Sequence, residues 1–231
     1  MLPEAHYCLN LMEVHMVVLS QEEAGRRLAK GVSLAVREIP LVLAISPGGA
    51  RVAGEIARVL GAPLDIIATT RLEVPGRPRS TFGAVADGAT VLLEDRIRAL
   101  GLPRDYVDGL IELARVDVDR VAAAWRGHEK ALPLKDRTVV LVDDGASEAV
   151  LIVGAATALR QFGVTRLFFA TPIASAELCQ ALRGVVDERI MLYEPECAGT
   201  QVRDPSFAQT TEFDVHALVR RSRENRVVPA L

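Results

Sequence analysis

The sequence predicts an α/β fold, a parallel sheet flanked by helices, and three stretches carry that prediction. The first is TVVLVDDGASEAVLIVG, residues 138–154. Residues 139–142 are all apolar and read as a strand buried on both faces. Asp143, Asp144 and Gly145 stop that strand, and apolar residues at helical spacing resume over 149–159. The second is a core strand at 41–45, which ends in Ser46-Pro47-Gly48-Gly49 and leads to a helix over 51–60. The third is a strand at 167–170, ending at Thr171-Pro172, with Ser175 capping a helix to about residue 183. Strand, turn and helix in that order place ligands at the carboxyl ends of the strands, beside helix N-termini.

Taken from the start, residues 1–19 form an N-terminal arm of open role. They contain an edge-strand candidate at 14–19, but a processing remnant reads equally well. Ser20 with Glu23 three residues on forms a capping box for a helix through residue 34. After the 51–60 helix, Gly61-Ala62-Pro63-Leu64-Asp65 leads into a strand at 66–69, and 74–80 reads as a mobile loop. Residues 82–86 and 89–93 flank Asp87-Gly88, which predicts a hairpin with a type I′ turn. A long helix spans 104–130, with Val107, Leu110, Ile111, Ala114, Val118, Val121 and Ala122 as its buried stripe and Trp125 as packing. A last strand lies at 190–192, and Asp214 caps a final helix to about 223. No linker divides residues 20–231, which read as one domain.

Composition excludes several classes. With half the residues apolar and a quarter charged, the chain reads as a soluble globular protein. A net charge of −3 lacks the basic footprint of a nucleic-acid binder. No apolar run is long enough for a bilayer. The first twenty residues contain no Lys or Arg, so a signal peptide is not expected. Cys8, Cys179 and Cys197 are scattered and form no CxxC pair, which suits reduced thiols and a cytoplasmic setting. The four histidines have no metal-ligand spacing, and there is no Walker A or Gly-x-Gly-x-x-Gly loop.

The Val-Val-Leu-Val-Asp143-Asp144-Gly145 stretch resembles the PRPP-binding motif of type I phosphoribosyltransferases, in which a strand leads to two acids and then a Thr-Gly-x-Thr/Ser loop. The resemblance extends over roughly residues 20–220. It includes EEAGRRLA near the first helix, Gly-Gly at 48–49, Leu60-Gly-Ala-Pro-Leu-Asp65 and the Asp204–Gln209 segment. It implies a Rossmann-type sheet with a small hood. It further implies a reaction that transfers phosphoribosyl from PRPP to a base or amine and releases pyrophosphate. On this reading Asp143 and Asp144 hold the ribose hydroxyls, and Mg²⁺ through those hydroxyls or water. Gly145, Ala146, Ser147, Glu148 and Ala149 wrap the 5′-phosphate, Gly48 and Gly49 approach the pyrophosphate, and Arg71 supplies charge.

The chain departs from that pattern at three places. Where the motif has Thr-Gly-x-Thr, it has Glu148, Ala149, Val150 and Leu151; Pro47 replaces an arginine; and Arg71 stands where two cations are usual. Arg77 and Arg79 read either as substitutes for the missing charge or as a solvated basic loop. A carboxylate is comfortable at a helix N-terminus, so Glu148 is expected to fill the place of the 5′-phosphate. Three readings stay open: an active transferase; a non-catalytic ligand sensor or subunit, as a homodimer or with a paralogue; and an enzyme taking a nucleoside or other nucleotide-like small molecule.

Overall fold

A computed structural model of the protein describes residues 6–8, 20–77, 79–145, 147–193 and 210–224. The expected strand at 14–19, the segment at 194–209 and Ala146 lie outside them. Described strands and helices follow in the order β1 (His6–Cys8), α1 (Gln21–Ala35), β2 (Leu41–Ala44), α2 (Pro47–Leu60), β3 (Leu64–Ile66), β4 (Thr69–Leu72), β5 (Gly83–Ala86), β6 (Ala89–Leu92) and α3 (Glu94–Leu100), then α4 (Arg104–Arg126), β7 (Thr138–Val142), α5 (Ala149–Gln161), β8 (Arg166–Ile173), α6 (Ala176–Ala181), β9 (Glu188–Tyr193) and α7 (Glu212–Glu224).

β7 sits in the middle of a parallel sheet of order β1-β9-β8-β7-β2-β3. Its alternate residues serve two cores. Val140 and Val142 join Leu28, Val52 and Ile56 on one face, while Val139 and Leu141 join Ile152, Leu159 and Phe169 on the other. This is why the segment reads as an unbroken apolar run: neither face meets water. β4, β5 and β6 form a separate antiparallel sheet, the hood, which packs on α4 and α5.

Several boundaries move, each for a local reason. α2 begins at Pro47, four residues before the expected start, because Ser46 is its N-cap and Pro occupies the first turn. α4 ends at Arg126, since Gly127 adopts φ 64° and ψ −128°. The expected strand at 66–69 is split, with β3 in the main sheet and β4 in the hood. β8 runs through Pro172, where its pairing with β7 has already ended at Ala170 and no ladder bond is lost. The hairpin forms with Ala86 opposite Ala89, but only Gly88 of its two turn residues has positive φ, so the turn is not type I′. Ser20 accepts from the Glu23 N–H as expected, yet Glu23 spends its carboxylate on Arg26 and Arg27 rather than closing the box. At α7 the box is complete one turn earlier than expected. Thr211 Oγ1 accepts from the Asp214 N–H, and the Asp214 carboxylate accepts from the Thr211 N–H and hydroxyl.

The C-terminal helix is tied to the sheet through a buried acid. Asp65, in β3, is 1% exposed. Arg126 Nε donates to it at 2.9 Å, Arg223 Nη2 lies at 3.1 Å, and the Leu132 and Ile66 N–H groups each donate at 2.8 Å. Two helices, α4 and α7, are thereby clamped onto one edge strand. Among the described residues, no helix is long and apolar enough to cross a membrane.

Candidate functional site

From β2 the chain moves outward to β3, and from β7 it moves the other way to β8. The carboxyl ends of β2 and β7 are adjacent and mark the point where the winding reverses, the usual crevice for a ligand in an open α/β sheet. Ser46 follows one of these strands and Asp143 the other. They meet: Ser46 Oγ donates to Asp143 Oδ1 at 2.8 Å, while the Gly49 N–H donates back to Ser46 Oγ at 3.0 Å.

Asp143 is fully buried, and both of its oxygens are engaged. Oδ1 also accepts from Ser147 Oγ at 2.6 Å, and Oδ2 accepts from the N–H groups of Gly145 at 2.8 Å and Ser147 at 3.2 Å. The acid therefore shapes the loop that follows it. Gly145 makes the loop possible: its φ is 89°, and a Cβ there would lie 2.6 Å from Ile173 Cγ2.

Asp144 is 6% exposed and packs on the opposing turn. A Cβ at Gly48 would stand 1.8 Å from Asp144 Oδ2, and one at Gly49 would stand 2.9 Å from the Val142 carbonyl oxygen. Both glycines are thus required by close approach: they let the N-terminus of α2 lie directly on the acidic strand end.

Glu148 departs from expectation. It is the N-cap of α5, but its side chain accepts no capping bond. Its carboxylate instead meets Arg71 Nη1, from the hood strand β4, at 2.7 Å, with both side chains about half exposed. The reason is competition for its carboxylate: Arg71 offers a full positive charge, against only neutral N–H groups in the first turn of α5. The acid that folds back onto the loop is Asp143, and Glu148 closes a bridge between hood and helix. Ala149 opens α5 beside it.

In the adjoining hood loop, Ser80 Oγ donates to the carbonyls of Arg77 at 2.6 Å and Val74 at 3.3 Å and accepts from the Val74 N–H at 2.8 Å. Arg77 and Arg79 are exposed, and neither has an ion pair among the described residues. Among those residues no group of three or more His, Cys, Asp or Glu could hold a metal. One residue that sequence reasoning did not single out also lies here. Gln21, the first residue of α1, is 2% exposed, and its Nε2 lies 2.9 Å from where a Gly48 Cβ would stand. Nothing in the sequence distinguishes it from a solvated residue after a helix cap.

A model of the phosphoribosyl transferase domain matches residues 19–188. The chain belongs to that family. This phosphoribosyl transferase domain is 31% identical over 204 residues to a Mycobacterium tuberculosis (strain H37Rv) protein named "Putative phosphoribosyl transferase Rv0571c". The match takes in 87% of this chain and 46% of the relative, so the domain spans about half that relative's length. The crystal structure of TT1426 from Thermus thermophilus superposes with a TM-score of 0.73 at 28% identity, covering 87% of this chain and 97% of the other. A purine phosphoribosyltransferase from Pyrococcus horikoshii is more distant, at 14% identity and a TM-score of 0.42, covering 74% of this chain and 85% of the other. The expected α/β fold with a small hood is the one found.

Proposed function

We propose that this domain binds PRPP in the crevice between β2 and β7 and transfers its phosphoribosyl group to a base or amine. The bond from ribose C1 to the pyrophosphate oxygen breaks, the acceptor nitrogen bonds to C1, and its proton leaves to solvent. The observation that most favours this reading is the packing of Gly48 and Gly49 against the Asp143-Asp144 strand end, which joins two helix N-termini to one buried acidic corner. In this reading Asp144 accepts from the ribose hydroxyls, while Asp143 holds residues 145–147 in shape. The N–H groups that open α2 and α5 face the phosphate oxygens. Arg71, Arg77 and Arg79 stabilise the charge that grows on departing pyrophosphate.

Two carboxylates with nearby hydroxyls suit a hard cation that keeps its water and substrate oxygens, which is how Mg²⁺ usually binds beside phosphates. Asp144, and Asp143 through Ser46 and Ser147, would hold it. Its chemistry when bound is neutralisation of the pyrophosphate charge.

A second reading, a ligand-binding subunit without catalysis, is favoured by the Arg71–Glu148 bridge, because Arg71 must leave Glu148 before it can serve a phosphate. Calorimetric titration of PRPP with Mg²⁺ separates the two. The wild type and a Glu148→Thr, Ala149→Gly double variant are both titrated, with pyrophosphate release assayed against a panel of bases. Micromolar binding by the wild type, with release, is the expected result. Binding without release moves the assignment to the second reading, and no binding by either protein overturns both.

A further inference from the structure

We propose that the solvent face of α4 is a docking surface for an amphipathic helix of a partner protein, one whose apolar heptad seam is flanked by Lys or Arg. The helix is apolar on two opposite sides. Val107, Ile111, Ala114, Val118 and Trp125 are buried against this chain's own core. On the other side Tyr106, Gly109, Leu113, Val116, Arg120 and Ala123 are exposed and follow one another at steps of three and four. That is the spacing by which one helix lies along another. Leu113 is 66% and Val116 67% exposed. The line continues toward α7, where Glu212 comes within 3.9 Å of Arg120 and the next residue, Phe213, is 79% exposed. Scattered exposed apolar residues are ordinary on a folded protein, whereas a continuous line of them marks an interaction surface.

Two observations say what covers this face. Gly109 lies inside a long helix, where glycine weakens the structure. Yet among the described residues nothing beyond its own helix backbone and chain neighbours stands within 4 Å of where its Cβ would be. The fold does not ask for a glycine there; on the seam it leaves a hole for a large side chain of a facing helix. Charge then selects the partner. The edge position just before each full heptad step is acidic throughout, as Asp105, Glu112 and Asp119. Arg115 answers Glu112 at 2.6 Å, while Asp105 and Asp119 have no ion pair among the described residues. A second copy of α4 laid antiparallel would set these acids against one another. Laid parallel, it would set Glu112 against Asp117. Self-pairing is therefore opposed in both directions, and so is an anionic membrane surface. A helix with Lys or Arg on the facing edge meets no such opposition.

The test adds the full chain to fluorescein-labelled synthetic peptides of about four heptads and reads anisotropy. One peptide has Val and Leu on its seam and Lys on both flanking edges; a second has Glu in place of every Lys. The Lys peptide is expected to bind with a Kd of about 10–100 μM, because the line is short. Its affinity should fall about 5-fold between about 50 and 300 mM salt, and the Glu peptide should bind about 10-fold more weakly. Leu113→Gln with Val116→Gln should cost the Lys peptide about 10-fold in affinity. Both side chains are exposed, so the thermal midpoint of that variant should stay within about 2 °C. Asp105→Lys with Glu112→Lys should reverse the preference between the two peptides, a readout that a loss of folding cannot produce. No saturation by the Lys peptide at about 1 mM overturns the proposal, as does unchanged affinity in the Gln double variant. Equal affinity for both peptides overturns it too, leaving unselective apolar adhesion. A wild-type dimer in sedimentation that the Gln variant dissolves assigns the face to a second copy and overturns it as well. None of these readouts depends on what the crevice binds.

Discussion

Two buried carboxylates, Asp65 within β3 and Asp143 just past β7, belong to strands two places apart in the same sheet and are satisfied in opposite ways. Asp65 is held by two arginines from two helices, together with two backbone N–H groups. Asp143 is held by two serine hydroxyls and two backbone N–H groups, and among the described residues it has no ion pair. A carboxylate matched by cations is electrically closed, and its neighbourhood is a joint. One matched by neutral donors keeps its own negative field. The difference sets the Asp65 joint apart from the corner proposed as the site.

The comparison can be broken at four points. Asp65→Ala leaves Arg126, only 12% exposed in its side chain, beside an empty cavity. It is expected to cost about 3–5 kcal/mol, read as a lowered urea midpoint, with any ligand affinity of the surviving folded protein unchanged. Asp143→Asn should cost less, about 1–3 kcal/mol, because one donor set loses its acceptor. Unlike the first change it should also weaken PRPP binding, and an affinity left intact would mean the loop does not need its anchor. Glu148→Gln removes an exposed bridge and should shift stability by less than about 1 kcal/mol. Its useful readout is PRPP affinity, expected to rise as Arg71 is released. The smallest effect belongs to the α7 cap. The Thr211 backbone N–H, and then its hydroxyl, hold the Asp214 carboxyl below the usual carboxylate range. Because the folded value lies below the unfolded one, the cap's contribution is present above about pH 4 and fades as pH falls through the lowered value. A stability profile below about pH 4 should therefore flatten in Asp214→Asn.

The sheet was legible because its strands are short apolar runs ending in turn formers, and the β7 run from Thr138 to Val142 begins and ends within one residue of its expected place. The pairing of Asp143-Asp144 with Gly48-Gly49 was legible only as two separate turns. Their contact depends on β2 and β7 being neighbours, which a residue pattern does not state. Glu148 misled because a carboxylate at a helix start has two good outcomes, the helix dipole or a cation, and the cation arrives from Arg71, 77 residues away in sequence. Gln21 was invisible for a related reason: Gly48 and Thr210, which stand beside it, are distant in the chain. The Asp87-Gly88 turn shows the limit of a dipeptide rule, since only Gly88 of the pair has positive φ.

The clamp on Asp65 also has a consequence in time. Ser222 Oγ accepts from the Leu64 N–H across 158 positions of sequence, and Arg223 beside it is the acid's second cationic partner. A ribosome adds roughly 5–20 residues per second, so an emerging chain carries Asp65 for some 8–30 s before its last counter-ion exists. During that interval Asp65 has Arg126 without Arg223, and the edge strand has no closing helix. Closure of this edge of the sheet therefore waits for α7, however early the central strands have paired.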